Sequence, residues 1–398
     1  MTTKNTALPL AGIKVIEFTH MVMGPTVGLI LADLGAEVCK IEPLEGDHTR
    51  RLLGSGAGYF PMYNRNKKSV CIDLKSEAGL GIAKKLIGES DILIENFRPG
   101  ALEKLGLGYD DLAAENPKLI YCSEKGFLAG PYENRTALDE VAQMMGGLAY
   151  MTGPPGRPLR AGASVIDVTG GMFGVIGILA ALQQRHVSGL GQYVKSSLFE
   201  STVFMVGQHM AQYAVTGKAA QPMPARVSAW AIYDLFETAD GAQVFIGVVS
   251  DTQWRQFCDT FALTDLGADP GLKTNKDRVL KRETLLPLVR KLFGQYSHSD
   301  LIARLEEAGL PFAPVSKPED LLDDPHLNAS GGLLDITLPD GEIIRLPALP
   351  LDMGGQRLAA PSTVPAIGAQ TGEVLRDAGY SPGDIAAFKK AGLIGGKD

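Results

Sequence analysis

Cysteine, tryptophan and clustered positive charge are what this 398-residue chain has least of. The four cysteines, Cys39, Cys71, Cys122 and Cys258, lie far apart and match no metal-ligand spacing. No metal site is expected, and buried thiols in a reducing compartment account for them. No run of lysine and arginine interrupts a net charge of −7, which leaves a nucleic-acid partner without a footprint. The opening MTTKNTALPLAG has no apolar core of the kind a signal peptide needs. The longest apolar stretch, near 174–182, is short of a membrane span. These absences predict a cytoplasmic protein with no membrane partner. What is present, 45% hydrophobic and 21% charged residues, is ordinary for a globular chain, and the length suits two domains.

Residues 12–19 read as a buried strand around KVIEF, followed by a Gly-Pro turn, a helix over 26–34 and a strand over 37–42. This is a βαβ unit, which implies a parallel sheet. It imitates a dinucleotide-binding fold, with Gly24 in the turn and Glu42 ending the second strand. The G-x-G-x-x-G fingerprint is missing, however, and Pro25 occupies a phosphate-loop position, so the fold reads as Rossmann-like and nicotinamide binding is rejected. Further strands over 64–74, 91–95 and 118–123 alternate with helices at 77–87 and from about 100, the pattern of a doubly wound α/β sheet. Ligands in such sheets bind beyond the carboxyl ends of the strands, so 20–25, 96–100 and 124–130 are expected on one rim.

A helical, Met-rich stretch at 203–215 leads to a linker rich in Gly, Pro and Ala. A hairpin turning at Asp240-Gly241, helices at 252–261 and 282–293, and an extended piece at 310–315 make a smaller α+β domain. The tail carries short strands near 334–338 and 342–346 and helices around 371–378 and 382–391. The expected division is a large Rossmann-like α/β domain over 1–200, a linker over 201–225, a small α+β domain over 226–325, and a segment over 326–398 that returns to the large domain.

The most distinctive stretch runs from Arg160 to Ser201, RAGASVIDVTGGMFGVIGILAALQQRHVSGLGQYVKSSLFES. Asp167 stands in front of an apolar helix over 168–186 that carries Gly170, Gly171, Gly174 and Gly177. Each glycine inside a helix costs about 0.8–1 kcal/mol relative to alanine, so four together imply close approach of another backbone or a ligand. The positive end of the helix would keep Asp167 ionised. That suits a plain N-cap aspartate or a nucleophilic carboxylate.

The segments LAGIKVIEFTH, LADLGAEVCKIEP, NRNKKSVCIDLK and ILIENFRPGALEKLGL, a central D-x-x-x-G…GILAAL…R…G-x-G-Q, and the tail IGAQTGEVLRDAGYSPGDIAAFKKAGLI occur in order between Leu10 and Ile394. Through them the chain resembles the class III CoA-transferases, the family of formyl-CoA transferase and the carnitine CoA-transferase. The resemblance implies a homodimer of two interlocked chains, with coenzyme A and acyl-CoA as substrates and no permanently bound cofactor. It places the nucleophile at Asp167 and an active-site glutamate at Glu140. For CoA it points to His20, Met21, Val22, Met23, Ile72, Lys75, Asn96, Phe97, Arg98, Lys104 and Lys125. The glycines after Asp167 are a candidate source of main-chain donors for an oxyanion. Two departures stand out: Pro43 where formyl-CoA transferase has an arginine, and no counterpart near 225–233 to that enzyme's run of glycines.

Arg50, Arg65, Arg157, Arg160 and Arg226 are candidates to grip a second carboxylate bidentately. Arg226 with the following AWAIYD resembles members that use succinyl-CoA and dicarboxylic acids. The expected activity is therefore CoA transfer from succinyl-CoA to a dicarboxylate through Asp167. Two alternatives are an acyl-CoA racemase of the same fold, which pairs its aspartate with a histidine in a Gly-His-Asp motif absent near 134–139, and a catalytically silent CoA-binding subunit, which should have lost Asp167 or the glycines.

Overall fold

Six parallel strands form the frame: β1 (Lys14–Phe18), β2 (Glu37–Glu42), β3 (Lys68–Cys71), β4 (Ile92–Glu95), β5 (Ile120–Lys125) and β6 (Tyr193–Ser197). The computed structural model describes residues 8–226, 228–358 and 362–396, so most of the N-terminal segment read above lies outside the described residues. The strand order is β3-β2-β1-β4-β5-β6. The order reverses between β1 and β4, which is where open α/β sheets bind ligands. All the pairings are parallel.

Because helices cover both faces, the strands are buried on both sides and read as nearly continuous apolar runs. One face contributes Ile16, Phe18, Ile41, Val70, Leu93 and Tyr121 to a core with α3 (Glu77–Gly88) and the C-terminal Val374 and Leu375. The other contributes Val15, Val38, Ile92, Ile94 and Ile120 to a core with α1 (Met23–Asp33) and the long helix over Val165–Ser188. Alternate residues of each strand thus feed opposite layers.

Several boundaries differ from the sequence reading. The strand expected over 64–74 shrinks to β3, because α2 (Tyr59–Asn64) precedes it and Asn66 adopts φ 63° between them. The helix expected from about 100 is a short 3-10 turn broken by Gly106 (φ 64°) before α4 (Tyr109–Glu115) forms. Two further helices, α5 (Asp139–Met145) and α6 (Leu148–Thr152), precede α7 (Val165–Ser188), which starts three residues earlier than expected. At 24 residues α7 is long and apolar enough to cross a membrane by length and composition, which the sequence reading missed. Its glycine-bearing side instead packs on α1 and on strand side chains: an added Cβ at Gly171 would meet the Met23 carbonyl at 2.7 Å, and at Gly177 the Val194 side chain at 2.5 Å. Gly189, at φ 74°, ends the helix. After it, α8 (Leu198–Thr216) covers the helical stretch expected at 203–215, so within the 201–225 expected as a linker only the part after residue 216 is not helical.

The chain divides into two units, Met1–Pro224 with Pro325–Asp398, and Ala225–Asp324. The second has its own core of Phe236, Val244, Trp254, Phe257, Leu286 and Phe293, formed by a hairpin (Ile232–Glu237, Gln243–Val248), a third strand (Phe312–Pro314) and helices that include Asp251–Thr260 and Arg282–Phe293.

Candidate active site

The loop leaving β1 carries His20, Met21 and Val22 at the point where the strand order reverses, and side chains hold it from several sides. Asn96, just past β4, accepts from His20 N at 3.0 Å and donates to His20 O at 2.9 Å. Thr49 Oγ1 accepts from Met21 N at 3.1 Å, and Met21 sits in the left-handed region at φ 63°. Lys40 Nζ donates to Thr19 O at 2.6 Å, and Lys67 Nζ donates to Pro25 O at 2.9 Å. Both lysines are buried and share the Glu17 carboxylate, at 3.6 and 2.9 Å. Such fixed contacts rigidify one wall of the site.

The N-terminus of α7 forms the facing wall. The sequence reading put Asp167 in front of the helix; it is instead the third residue within it, after Ser164 at the cap position. The buried carboxylate of Asp139, first residue of α5, accepts from the main-chain N–H of Ile166 at 2.8 Å and of Asp167 at 3.0 Å. Val165 N–H bonds Ala163 O and Val168 N–H bonds Ser164 O, so the donors of the first turn are all engaged. The glycines beyond it lie inside the helix, where their N–H groups belong to the i→i−4 ladder. They serve close packing and offer no oxyanion donors there, contrary to the sequence expectation.

The expectation that the helix dipole keeps Asp167 ionised also needs correction. Burial, and then the charges of Asp139 and Glu140, push its carboxyl up to about 7. Losing hydration and facing like charge outweigh the dipole, whose donors Asp139 has already taken.

A pocket of about 260 Å³ brings together His20, Met21, Met23, Tyr59, Asn96, Glu124, Lys125, Asp139, Glu140 and Asp167, among others. His20 stacks on Phe97 at 5.4 Å between ring centroids, burial holds its imidazole below the ordinary range, and its Nδ1 has no partner. Lys125 Nζ is held by Glu95 at 2.7 Å and by Phe97 O at 2.7 Å. Glu124 is fully buried, and burial raises its carboxyl to about 8. Lys75, Arg98 and Lys104 are exposed, whereas Ile72 is buried and bridges Ile394.

The arginines separate sharply. Arg50 is bound to Glu42 at 2.6 Å and to Pro365 O at 2.9 Å, and Arg65 is fully buried on Asp33 at 2.8 Å. Both are committed to carboxylates of this chain, so the expectation that they grip substrate fails on geometry. Arg160 is 39% exposed and pairs with Glu140 at 2.8 Å. Arg226 lies at the start of the second unit.

Sequence reasoning chose Glu140 as the acid beside the nucleophile. Glu140 reaches the pocket half-exposed, and its neighbour Asp139 is the one bonded to the nucleophile's own N–H. Two consecutive acids opening a helix were the available signal, and the helix register decides which turns inward. Tyr59 comes from α2, a helix the sequence reading did not place. Glu124 was legible only as the first residue of the rim segment 124–130, and it lies inside β5.

The family model described as CoA-transferase family III matches residues 10–371. A mouse (Mus musculus) protein named succinyl-CoA:glutarate CoA-transferase is 31% identical over 394 residues, covering 97% of this chain and 90% of that protein. A Chloroflexus aurantiacus protein named succinyl-CoA–D-citramalate CoA-transferase is 32% identical over 407 residues, covering 99% of this chain and all of that one. The crystal structure of a CaiB/BaiF family protein from Brucella suis superposes with a TM-score of 0.83 at 32% identity, over 94% of this chain and 100% of that one. Shared length, shared fold and the matched model together mean that the chain belongs to CoA-transferase family III.

Proposed function

We propose that this protein transfers CoA from succinyl-CoA to a dicarboxylic acid through covalent intermediates on Asp167. The observation that carries the reading is a partly buried carboxylate in a pocket at the sheet's switch point, its main chain anchored by Asp139. The names of the relatives supply the substrate class. An Asp167 oxygen attacks the thioester carbonyl, the C–S bond breaks, and CoA thiolate leaves behind a mixed anhydride. The thiolate attacks the aspartyl carbonyl, releasing succinate and leaving an aspartyl-CoA thioester. The acceptor carboxylate attacks that thioester to form a second anhydride, and the thiolate then takes the acceptor acyl group and frees Asp167. Covalent catalysis divides one difficult exchange into easier steps. Glu140 and Asp139 tune the nucleophile by their charge.

CoA would run along His20, Met21, Val22, Met23, Ile72, Asn96, Phe97 and Lys125, with exposed Lys75, Arg98 and Lys104 available to its phosphates. No permanently bound cofactor is needed. Exposed Met172, Ile176, Phe204, Met205, Met210 and Tyr213 on α7 and α8 support a homodimer that covers them. The four free, buried cysteines suit a cytoplasmic location.

The test is incubation with succinyl-CoA, then hydroxylamine or borohydride, with mass spectrometry for modification at Asp167. Asp167→Ala should lose turnover by several orders of magnitude, and a wild-type rate in that variant rejects the reading. The His20 ring nitrogen Nδ1, buried without a partner in the same pocket, supports a second reading, an acyl-CoA racemase using His20 as base. That activity would show as deuterium wash-in at Cα without CoA exchange.

A further inference from the structure

The pocket around Asp167 is acidic, with the carboxyl groups of Glu124, Asp139, Glu140 and Asp167 in its wall. A dicarboxylic substrate brings a second negative charge into that wall, away from the reacting carbonyl. Without a cation to meet it, desolvation and like-charge repulsion would exclude such a substrate. Lys125, the cation in the pocket wall, is already held by Glu95 and by the Phe97 carbonyl. Arg50 and Arg65 are committed to Glu42 and Asp33.

Arg160 is different in three ways. Its guanidinium is 39% exposed, and its partner Glu140 is itself 50% exposed. Solvent-exposed ion pairs of that kind contribute little, so exchanging Glu140 for a substrate carboxylate costs little. Its base is fixed: the neighbouring Ala161 N–H donates to Gln143 Oε1 at 2.9 Å, and Gln143 Nε2 bonds Asp139. Its reach is right: Nη1 lies 4.0 Å from Asp139 Oδ1, and the other oxygen of that carboxylate holds the Asp167 N–H. One carboxylate therefore separates the guanidinium from the nucleophile's main chain.

We infer that Arg160 is the specificity-determining residue that grips the distal carboxylate of a dicarboxylic substrate. The inference rests on the CoA-transfer reading above. A planar guanidinium can take a carboxylate by two parallel bonds, which lysine cannot. Arg160 would leave Glu140 when the acyl chain enters and return when it departs.

The experiment compares succinyl-CoA with butyryl-CoA, which has a methyl group in place of the distal carboxylate. The readout is the rate of enzyme–CoA thioester formation in a single turnover at sub-saturating thioester, a half-reaction that needs no acceptor. Because freeing Glu140 touches both thioesters alike, Arg160→Met should slow the succinyl-CoA reaction roughly 10- to 100-fold more than the butyryl-CoA reaction, the range for losing a charged hydrogen-bonding partner. Arg160→Lys should recover part of the preference. The butyryl-CoA rate doubles as the control for folding. An unchanged succinyl-to-butyryl ratio in Arg160→Met, or equal slowing of both thioesters, overturns the inference. A wild-type enzyme that takes CoA from neither thioester overturns the transfer reading, and this inference with it.

Discussion

The main-chain N–H of Asp167 points at the Asp139 carboxylate, 3.0 Å away, so the residue that anchors the nucleophile also opposes its charge. Burial contributes most to raising the Asp167 carboxyl, Asp139 next and Glu140 last. Since only the ionised form attacks, acylation should rise with pH through about 7 and then level off. Asp139→Asn should move this acid limb to lower pH, and Glu140→Gln should move it the same way by less. A pH profile of kcat/KM for acyl-CoA checks the order. A limb that shifts upward in either variant contradicts the assignment.

The same shift makes a stability prediction. The folded value, about 7, is above the unfolded value near 3.8, so the unfolded chain releases this proton first. Stability is therefore fully present below about pH 4 and is lost as pH rises towards 7, by a few kcal/mol at most. Asp167→Asn removes this loss. Its melting temperature should match wild type near pH 4 and exceed it at pH 8, as calorimetry across that range would measure.

The strands and their alternation with helices were legible because a sheet covered on both faces leaves long apolar runs, as in ILIE of β4. Asp167 was legible through its surroundings of glycine. The inward turn of Asp139 was not, because it depends on where α5 starts, and Leu138 gives no capping signal. Nor could the sequence show that Arg50 and Arg65 are spent internally. Their partners, Glu42 and Asp33, sit 8 and 32 positions away, and nothing local marks an arginine as buried. The glycines suggested close approach correctly, and what approaches is protein: Met23 and Thr26 of α1, the Glu124 carboxylate at Gly174, and Val194.

Lys67 ties three elements together below the pocket loop. Its ammonium bonds Glu17 on β1, the Pro25 carbonyl in α1 and Asn64 at the end of α2. Burial lowers it to about 8, which still leaves it largely charged at neutral pH. Lys67→Met leaves the Glu17 charge with the more distant Lys40, at 3.6 Å, and the Thr19 hydroxyl, at 3.0 Å. Removing one partner of a buried pair costs about 3–5 kcal/mol. Urea unfolding should show that loss, and a change below about 1 kcal/mol, the level of a surface pair, would mean that the network does not support the loop.

Gly170 and Gly171 lie side by side on α7, yet their replacements should behave differently. An added Cβ at Gly170 meets the end of the Met23 side chain at 2.5 Å, a flexible thioether that can move aside. At Gly171 it meets the Met23 carbonyl oxygen at 2.7 Å and Thr26 Cβ at 2.9 Å, and backbone cannot yield so easily. Alanine also brings about 0.8–1 kcal/mol of helix propensity at either place. Gly170→Ala should therefore be close to neutral in stability. Gly171→Ala should lose about 1–3 kcal/mol to overpacking and displace the start of α1, lowering turnover because Met23 lines the pocket. Thermal melts and transfer rates on the two variants decide the matter, and equal stability would show that α1 and α7 are not packed backbone to backbone at this point.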